Sequence, residues 1–350
     1  MDRNFNKKLV LEDGSQYLGY GFGADCDAVC ELVFNTAMAG YQDIVTDPAY
    51  TYQAVAITYP IIGSYGMAND NYETKRPRIA GLVVNEYNNT PSNFRATTTL
   101  GEVLEEYGIP GIEGIDTRKL TRNLRDTGTK RCIITSADTS KEKALEIIAN
   151  TPIPTDAVAT ASCKRMWKSV VESGHYHVVV IDCGIRYGIV RDLNKKGFNL
   201  TIVPHDATVE QILKQKPDGI FISDGPGDPK EAKEVIDLIK ALKGKLPIFG
   251  IGLGNQLISL AYGADTYKLK AGHRGSNHPV RNLETNKLEV VTQSHSYTVD
   301  VDTLKNTDLE ITHINTIDDT IEGVECKKDK IFAVQYLPTT TNDGTDLYDK

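Results

Sequence analysis

The sequence predicts an α/β protein of two domains, and three observations carry that expectation. From His177 onward, short β-branched apolar runs (HVVVID, NLTIVP, DGIFIS, PIFGI) alternate with helical stretches (GIVRDLNKKG, TVEQILKQK, KEAKEVIDLIKALKG). That alternation is the pattern of a parallel sheet with helices on both faces. The first 150 residues read as short strands between turns with two helical stretches, a mixed β/α domain. Between the two, residues 151–175 open on Thr-Pro-Ile-Pro and lose periodicity, as a linker does. The expected boundaries are therefore 1–150, 151–175 and 176–350, and 350 residues is a comfortable length for two domains.

Taken in order, LVLEDGSQYLGYGFG alternates around Asp13-Gly14 and predicts a tight hairpin. CELVFNTAMAGYQDIVTDPAY, AVAITYPIIG and IAGLVVNEY continue as short strands between turns. TLGEVLEEYG and DTRKLTRNLRDTG are helical stretches, each followed by glycine, the second capped by Asp116-Thr117. Arg118, Lys119, Arg122 and Arg125 on that second helix are expected to form a solvated face. Trp167, the single tryptophan, is expected to be a packing anchor.

Composition excludes several classes. Forty per cent hydrophobic and 25% charged residues is a globular balance, and the net charge of −8 is shared by both parts of the chain, so neither is a basic nucleic-acid module. No run approaches the 18 apolar residues of a membrane span, and the start, MDRNFNKKLVL, has no apolar core of a secretory signal. Six cysteines without a CxxC predict free thiols in a reducing, cytoplasmic compartment. Neither GxxxxGK[ST] nor GxGxxG occurs, so nucleotide binding by this chain is unsupported.

Catalytic groups in an open parallel sheet are expected beyond the carboxyl ends of its strands. Two sharp loops fall there, SDGPGDP and GIGLGNQLISLA. The second is strand, strained turn, helix, the form of a nucleophile elbow, yet its turn residue is Gly252. With these stretches in view, and with ELVFNTAMAGYQDIVTDPAY, GIEGIDTRKLTRNLRDTGT, KLKAGHRGSNHPV and FAVQYLP in the same order, the chain resembles the small, glutamine-amidotransferase subunit of carbamoyl phosphate synthetase over essentially its whole length. The resemblance implies an amino-terminal small-subunit domain and a carboxyl-terminal class I glutamine amidotransferase-like domain. In that family a cysteine attacks glutamine, a histidine assisted by a glutamate moves the protons, and ammonia passes to a large subunit that uses bicarbonate and ATP.

The departures fall where that chemistry lives. The family's elbow G-I-C-x-G-x-Q is Gly250-Ile251-Gly252-Leu253-Gly254-Asn255-Gln256 here, and its Q-Y/F-H-P-E is Gln335-Tyr336-Leu337-Pro338-Thr339. Nucleophile, base and acid are thus replaced by Gly252, Leu337 and Thr339. The pocket serine of T-D-P-S-Y is Ala49, and S-Q-N-H-G reads Thr292-Gln293-Ser294-His295-Ser296, followed by Tyr297. Gly225, Gly227, Leu253 and Gln256 remain, and the amides of Gly227 and Leu253 are expected to leave a remnant oxyanion hole.

The implied function is a small-subunit homologue that does not hydrolyse glutamine and serves as structural or regulatory partner of an ammonia-using large subunit in pyrimidine or arginine precursor synthesis. A non-hydrolysing glutamine or metabolite sensor, and an altered amidohydrolase using Asp224, are the alternatives. No cofactor is expected in this chain, ATP and magnesium belonging to the large subunit. Cys183 is expected to be a buried small hydrophobe. His273 and His278 lack supporting Cys or Asp ligand spacing, so no metal is expected.

Overall fold

The computed structural model describes residues 4–338. The chain clusters into two compact units, Met1–Pro154 and Thr155–Lys350.

In the first unit the elements run β1 (Lys7–Leu11), β2 (Gln16–Gly23), β3 (Ala28–Asn35), α1 (Tyr41–Thr46), β4 (Gln53–Ile57), β5 (Ile61–Ile62), β6 (Gly81–Val83), β7 (Glu86–Tyr87), α2 (Leu100–Glu106), β8 (Pro110–Glu113), α3 (Thr117–Thr127), β9 (Lys130–Ser136) and α4 (Lys141–Asn150). Seven strands close into a barrel in the order β1-β2-β8-β6-β4-β3-β9, and β5 pairs with β7 alone. The Asp13-Gly14 hairpin forms as expected, with Gly14 at φ 84 and β1 antiparallel to β2. Successive strand residues feed opposite cores: Leu32, Ala54, Ala56 and Val83 pack with Leu120 and Leu124 of α3, whereas Val33, Val55, Ile57 and Leu82 pack with α1 and α2. Such strands are apolar on both faces, so they read as runs and not as alternations.

Both helical stretches form, α2 with a capping box from Thr99 and Glu102, and α3 with Asp116 accepting from the Lys119 amide. The four basic residues of α3 are exposed. Two elements depart from the sequence expectation. YQDIVT, read among strands, is helix α1, started by Gly40 in the left-handed region at φ 81. KEKALEIIAN, outside the two expected helical stretches, is helix α4, capped by Ser140.

In the second unit the elements are α5 (Ala157–Ala161), β10 (Trp167–Ser169), β11 (Tyr176–Asp182), α6 (Tyr187–Lys195), β12 (Phe198–Pro204), α7 (Val209–Lys214), β13 (Gly219–Ile222), α8 (Lys233–Leu242), β14 (Ile248–Ile251), α9 (Leu253–Ala261), β15 (Thr266–Asn282), β16 (Leu288–Val299), α10 (Val301–Leu304), β17 (Glu310–Asn315), β18 (Ile321–Cys326) and β19 (Ile331–Val334). They build one sheet, ordered β10-β12-β11-β13-β14-β19-β18-β17-β15-β16. The stretch β12-β11-β13-β14-β19 is parallel, as the alternation predicted. Val179 and Ile181 pack on one face with α8 and α9, and Val180 packs on the other with α6. What the sequence reading did not contain is the antiparallel wing β18-β17-β15-β16 attached through β19.

The stretch expected as a linker differs as well. The boundary between the compact units falls at Pro154, and 155–175 contributes α5 and the edge strand β10, which pairs antiparallel with β12. Trp167 anchors that edge, meeting Tyr187 edge-on at 6.4 Å. Among the described residues no helix is long and apolar enough to cross a membrane. All six cysteines are free, and Cys183 is fully buried in the core, where burial pushes its thiol well above the ordinary range.

Candidate functional site

The centre of the site is the turn from β14 into α9. Gly252 has φ 53 and ψ −113, donates its amide to Val334 O of β19 (2.9 Å), and accepts from the Asn255 amide (3.1 Å). Only glycine adopts that region without strain. The crossing of helix and strand is equally tight, because a β-carbon on Gly254 would overlap the Ile222 carbonyl of β13.

The space above Gly252 is filled. Asp224, in the loop after β13, is 5% exposed, and its Oδ1 accepts from the amides of Gly225 (2.7 Å) and Leu253 (3.0 Å). A β-carbon built on Gly252 would fall on Asp224 Oδ1 and Cγ. The carboxylate thus occupies the volume in which any side chain at 252 would start. It also sits at the N-terminus of the nine-residue helix α9, where an anion is stabilised by the orphan amides and the helix dipole. The remnant oxyanion hole expected from Leu253 and Gly227 is therefore not open: the Leu253 donor is taken from within the chain. Gly227, at φ 88, lies against Ala157, and Gly225 lies against the Cys183 carbonyl, where a β-carbon would overlap.

Leu337 is 7% exposed and packs with Val280, Val291 and Tyr336, its amide donating to Thr292 O (2.9 Å). It presents no group that moves a proton. Thr339 lies outside the described residues. Gln256, 2% exposed on α9, donates to Tyr297 O (2.8 Å) and to Gln335 Oε1 (3.1 Å), which Asn255 also reaches (3.2 Å). Its amide ties α9 to β16 and to the end of β19. Ser296 accepts from Arg274 at 2.5 Å, while Ser294 Oγ is buried without a partner. Ala49 belongs to the first unit, in a 3-10 turn where its amide donates to Asp47 Oδ1 (2.9 Å).

The structure thus assembles Asp224, Gly225, Gly252 and Leu253 around one point and places Gln256 and Tyr297 in one hydrogen-bonded tie. Two features were missed by sequence reasoning. The occupant of the elbow is Asp224, and its only sequence signal was an acid before a Gly-Pro-Gly turn, which does cap that turn. The second feature is a polar cluster on the antiparallel wing: His273 of β15, His295 of β16 and Glu322 of β18, with donor atoms all within 4.8 Å of one another. Burial raises the Glu322 carboxyl to about 7, against the opposing bond from Asn315. Burial, and then His273, holds His295 well below the usual imidazole range and His278 down at about 4. His273 and His278 have rings 5.2 Å apart, but the partners of His273 are strand neighbours that spacing along the chain does not show.

Comparison with known proteins agrees with this architecture in both units. Residues 9–134 match the family model for the carbamoyl-phosphate synthase small chain, CPSase domain, and residues 179–346 match that for glutamine amidotransferase class-I. A carbamoyl phosphate synthase small chain of Fusobacterium nucleatum is 46% identical over 99% of this chain and 97% of its own. Proteins of the same description from Staphylococcus epidermidis and Oceanobacillus iheyensis are also 46% identical, each over 98% of this chain and 94% of its own.

Proposed function

Since the chain belongs to the carbamoyl phosphate synthase small-chain family, we propose that it is a small subunit that has lost glutamine hydrolysis and serves as structural or regulatory partner of a large subunit fed by free ammonia. The observation that carries this reading is the Asp224 carboxylate on the Leu253 amide, in the volume above Gly252. Acyl transfer from glutamine needs a nucleophile at the elbow, a base beside it, and donors held free for the negative charge that develops on the carbonyl oxygen. Here the elbow residue has no side chain, the base position is the packed Leu337, and the Leu253 amide already holds an anion. A second negative charge beside Asp224 is repelled, so the site disfavours an oxyanion even where a substrate amide reaches it.

The same contact argues against a glutamine sensor and against an altered hydrolase, since the Asp224 oxygen that would act is engaged by two amides. ATP and magnesium are assigned to the large subunit, the product to pyrimidine or arginine precursor synthesis, and the complex to the cytoplasm.

The test reconstitutes the chain with its large subunit and measures carbamoyl phosphate formed from ammonia and from glutamine. Ammonia-dependent synthesis with glutamine hydrolysis at the no-protein background is expected. Glutamine-dependent synthesis at a rate comparable with the ammonia-dependent one would overturn the proposal.

A further inference from the structure

On the antiparallel wing of the second unit, His273 and His295 are directly opposed across β15 and β16, their rings 5.0 Å apart and nearly perpendicular. Glu322 reaches the same point from β18, with no exposed surface. The hydrogen bonds around the cluster fix where the lone pairs point. His273 Nε2 lies 2.9 Å from Asp318 Oδ2, a carboxylate that only accepts, so Nε2 donates there and Nδ1 is the nitrogen that offers a lone pair in the neutral ring. His295 Nδ1 lies 2.8 Å from the Tyr297 carbonyl, which also only accepts, so its proton is there and Nε2 is bare.

His273 Nδ1 faces Glu322 Oε1 at 3.7 Å. His273 Nδ1 and Glu322 Oε2 are both buried without a hydrogen-bond partner, and the near neighbour of His295 Nε2 is Gln293 Oε1 at 3.1 Å, another acceptor. Asn315 Nδ2 donates to Glu322 Oε1 (3.1 Å) and the Gln293 amide lies beside the same carboxyl, yet His273 Nδ1 and Glu322 Oε2 stay unsatisfied, and buried acceptors left so are costly unless a cation joins them.

We propose that His273, His295 and Glu322 form a site for a divalent transition-metal ion of the zinc type, bound through His273 Nδ1, His295 Nε2 and the Glu322 carboxylate. Two imidazoles and one carboxylate are a donor set suited to zinc and its borderline neighbours and poorly suited to magnesium or calcium. Bonds of about 2.1 Å in a tetrahedral arrangement place donor atoms about 3.4 Å apart. The spacings, 3.7 Å between His273 Nδ1 and Glu322 Oε1 and none above 4.8 Å, therefore need to close by roughly 0.3 to 1.4 Å.

Asp318 supplies what metal-bound histidines ordinarily have, a carboxylate on the far ring nitrogen. Arg274 is a cation close to His295. Its guanidinium donates to Ser296 Oγ (2.5 Å) and to the Ala271 carbonyl (3.2 Å). The ion would join the β15–β16 hairpin to β18 and hold the strand that carries Ser294 and Ser296. This site is independent of whether glutamine is hydrolysed.

The test uses the full chain stripped with a chelator. Zinc is titrated in competition with a chromophoric chelator, and cobalt(II) is added separately while its visible absorption is recorded. One equivalent of zinc and the intense bands of a four-coordinate cobalt ion are expected. Asp318→Asn should weaken zinc 10- to 100-fold, whereas His273→Gln and Glu322→Gln should each abolish the cobalt bands. His278→Gln should leave both within about twofold, which separates this triad from the pair suggested by sequence spacing. Circular dichroism and Trp167 fluorescence establish that each variant is folded. Zinc retention by the wild-type chain no greater than that of a folded His273→Gln/Glu322→Gln variant would overturn the assignment, as would loss of the bands in His278→Gln.

Discussion

Restoring a cysteine at the elbow should damage the protein, and the damage should depend on Asp224. Gly252→Cys introduces two costs. A non-glycine residue at φ 53 carries roughly 1–3 kcal/mol of backbone strain. Its β-carbon also displaces the Asp224 carboxylate from the Leu253 and Gly225 amides, and hydrogen bonds to a charged group are worth about 1.5–3 kcal/mol each, about 3–6 kcal/mol for the two. Together these amount to about 4–9 kcal/mol, a large part of the roughly 5–15 kcal/mol that holds an ordinary domain folded. Asp224→Ala alone loses the second cost only.

In the Asp224→Ala background the cysteine meets no carboxylate, so Gly252→Cys should there cost the strain alone. The double variant is then more stable than the two single losses predict by about 3–6 kcal/mol, the shared cost of the two hydrogen bonds counted once. Trp167 lies in the same unit, packed against one of its cores, so its fluorescence during urea unfolding reads the unit that carries the site. Midpoints and slopes for the four proteins complete the cycle. Additivity within about 0.5 kcal/mol would refute the claim that Asp224 occupies the elbow.

Other expectations follow from the same contacts. Leu337→Ala should cost about 2–5 kcal/mol by opening a cavity, and Leu337→His, which restores a base in name, should destabilise through an unpaired buried imidazole and yield no glutamine turnover; unchanged urea midpoints would contradict both. Gly254→Ala should unfold readily because its methyl meets the Ile222 carbonyl, whereas Gly219→Ala, whose nearest neighbour is the Pro247 carbonyl at 3.5 Å, should melt within a few degrees of wild type. The Cys163 thiol is pushed up to about 12, first by burial and then by Asp182. Its thiolate fraction is thus small at neutral pH and grows about tenfold per pH unit, so alkylation of Cys163 followed by mass spectrometry should accelerate about a hundredfold between pH 7 and 9. A rate that begins to level off below pH 9 would show an ordinary or lowered thiol.

Much of this architecture was legible in the residues. Val179, Val180 and Ile181 form a continuous apolar run because both faces of the parallel sheet are covered, and the run betrays the strand whichever face each residue takes. Helix α3 announces itself by Asp116 and Gly128 at its two ends. Helix α1 did not, because it is only six residues long, buried at all but Asp43 and β-branched at Ile44, Val45 and Thr46, so tertiary packing and Gly40 decide its form. The emptied elbow at Gly252 was visible as a residue type in a motif, but its filling by Asp224 was not. That depends on two loops, 29 positions apart, converging at the ends of adjacent strands. The histidine cluster was hidden for a similar reason: cross-strand register on a long bulged hairpin, and not spacing along the chain, brings His273 to His295.

The position of β19 in the sheet has a consequence for the order of assembly. It is the last strand of the described chain, yet it lies between β14 and β18 and joins the parallel half of the sheet to the antiparallel wing. During synthesis the two halves therefore wait as separate pieces, with open edges at β14 and β18, until residues 331–334 emerge. Those same residues supply the Val334 carbonyl that holds the Gly252 amide. At the roughly 5–20 residues per second of a ribosome, β14 stands unpaired on that side for several seconds, an interval of exposed strand edge that a nascent chain spends vulnerable to aggregation.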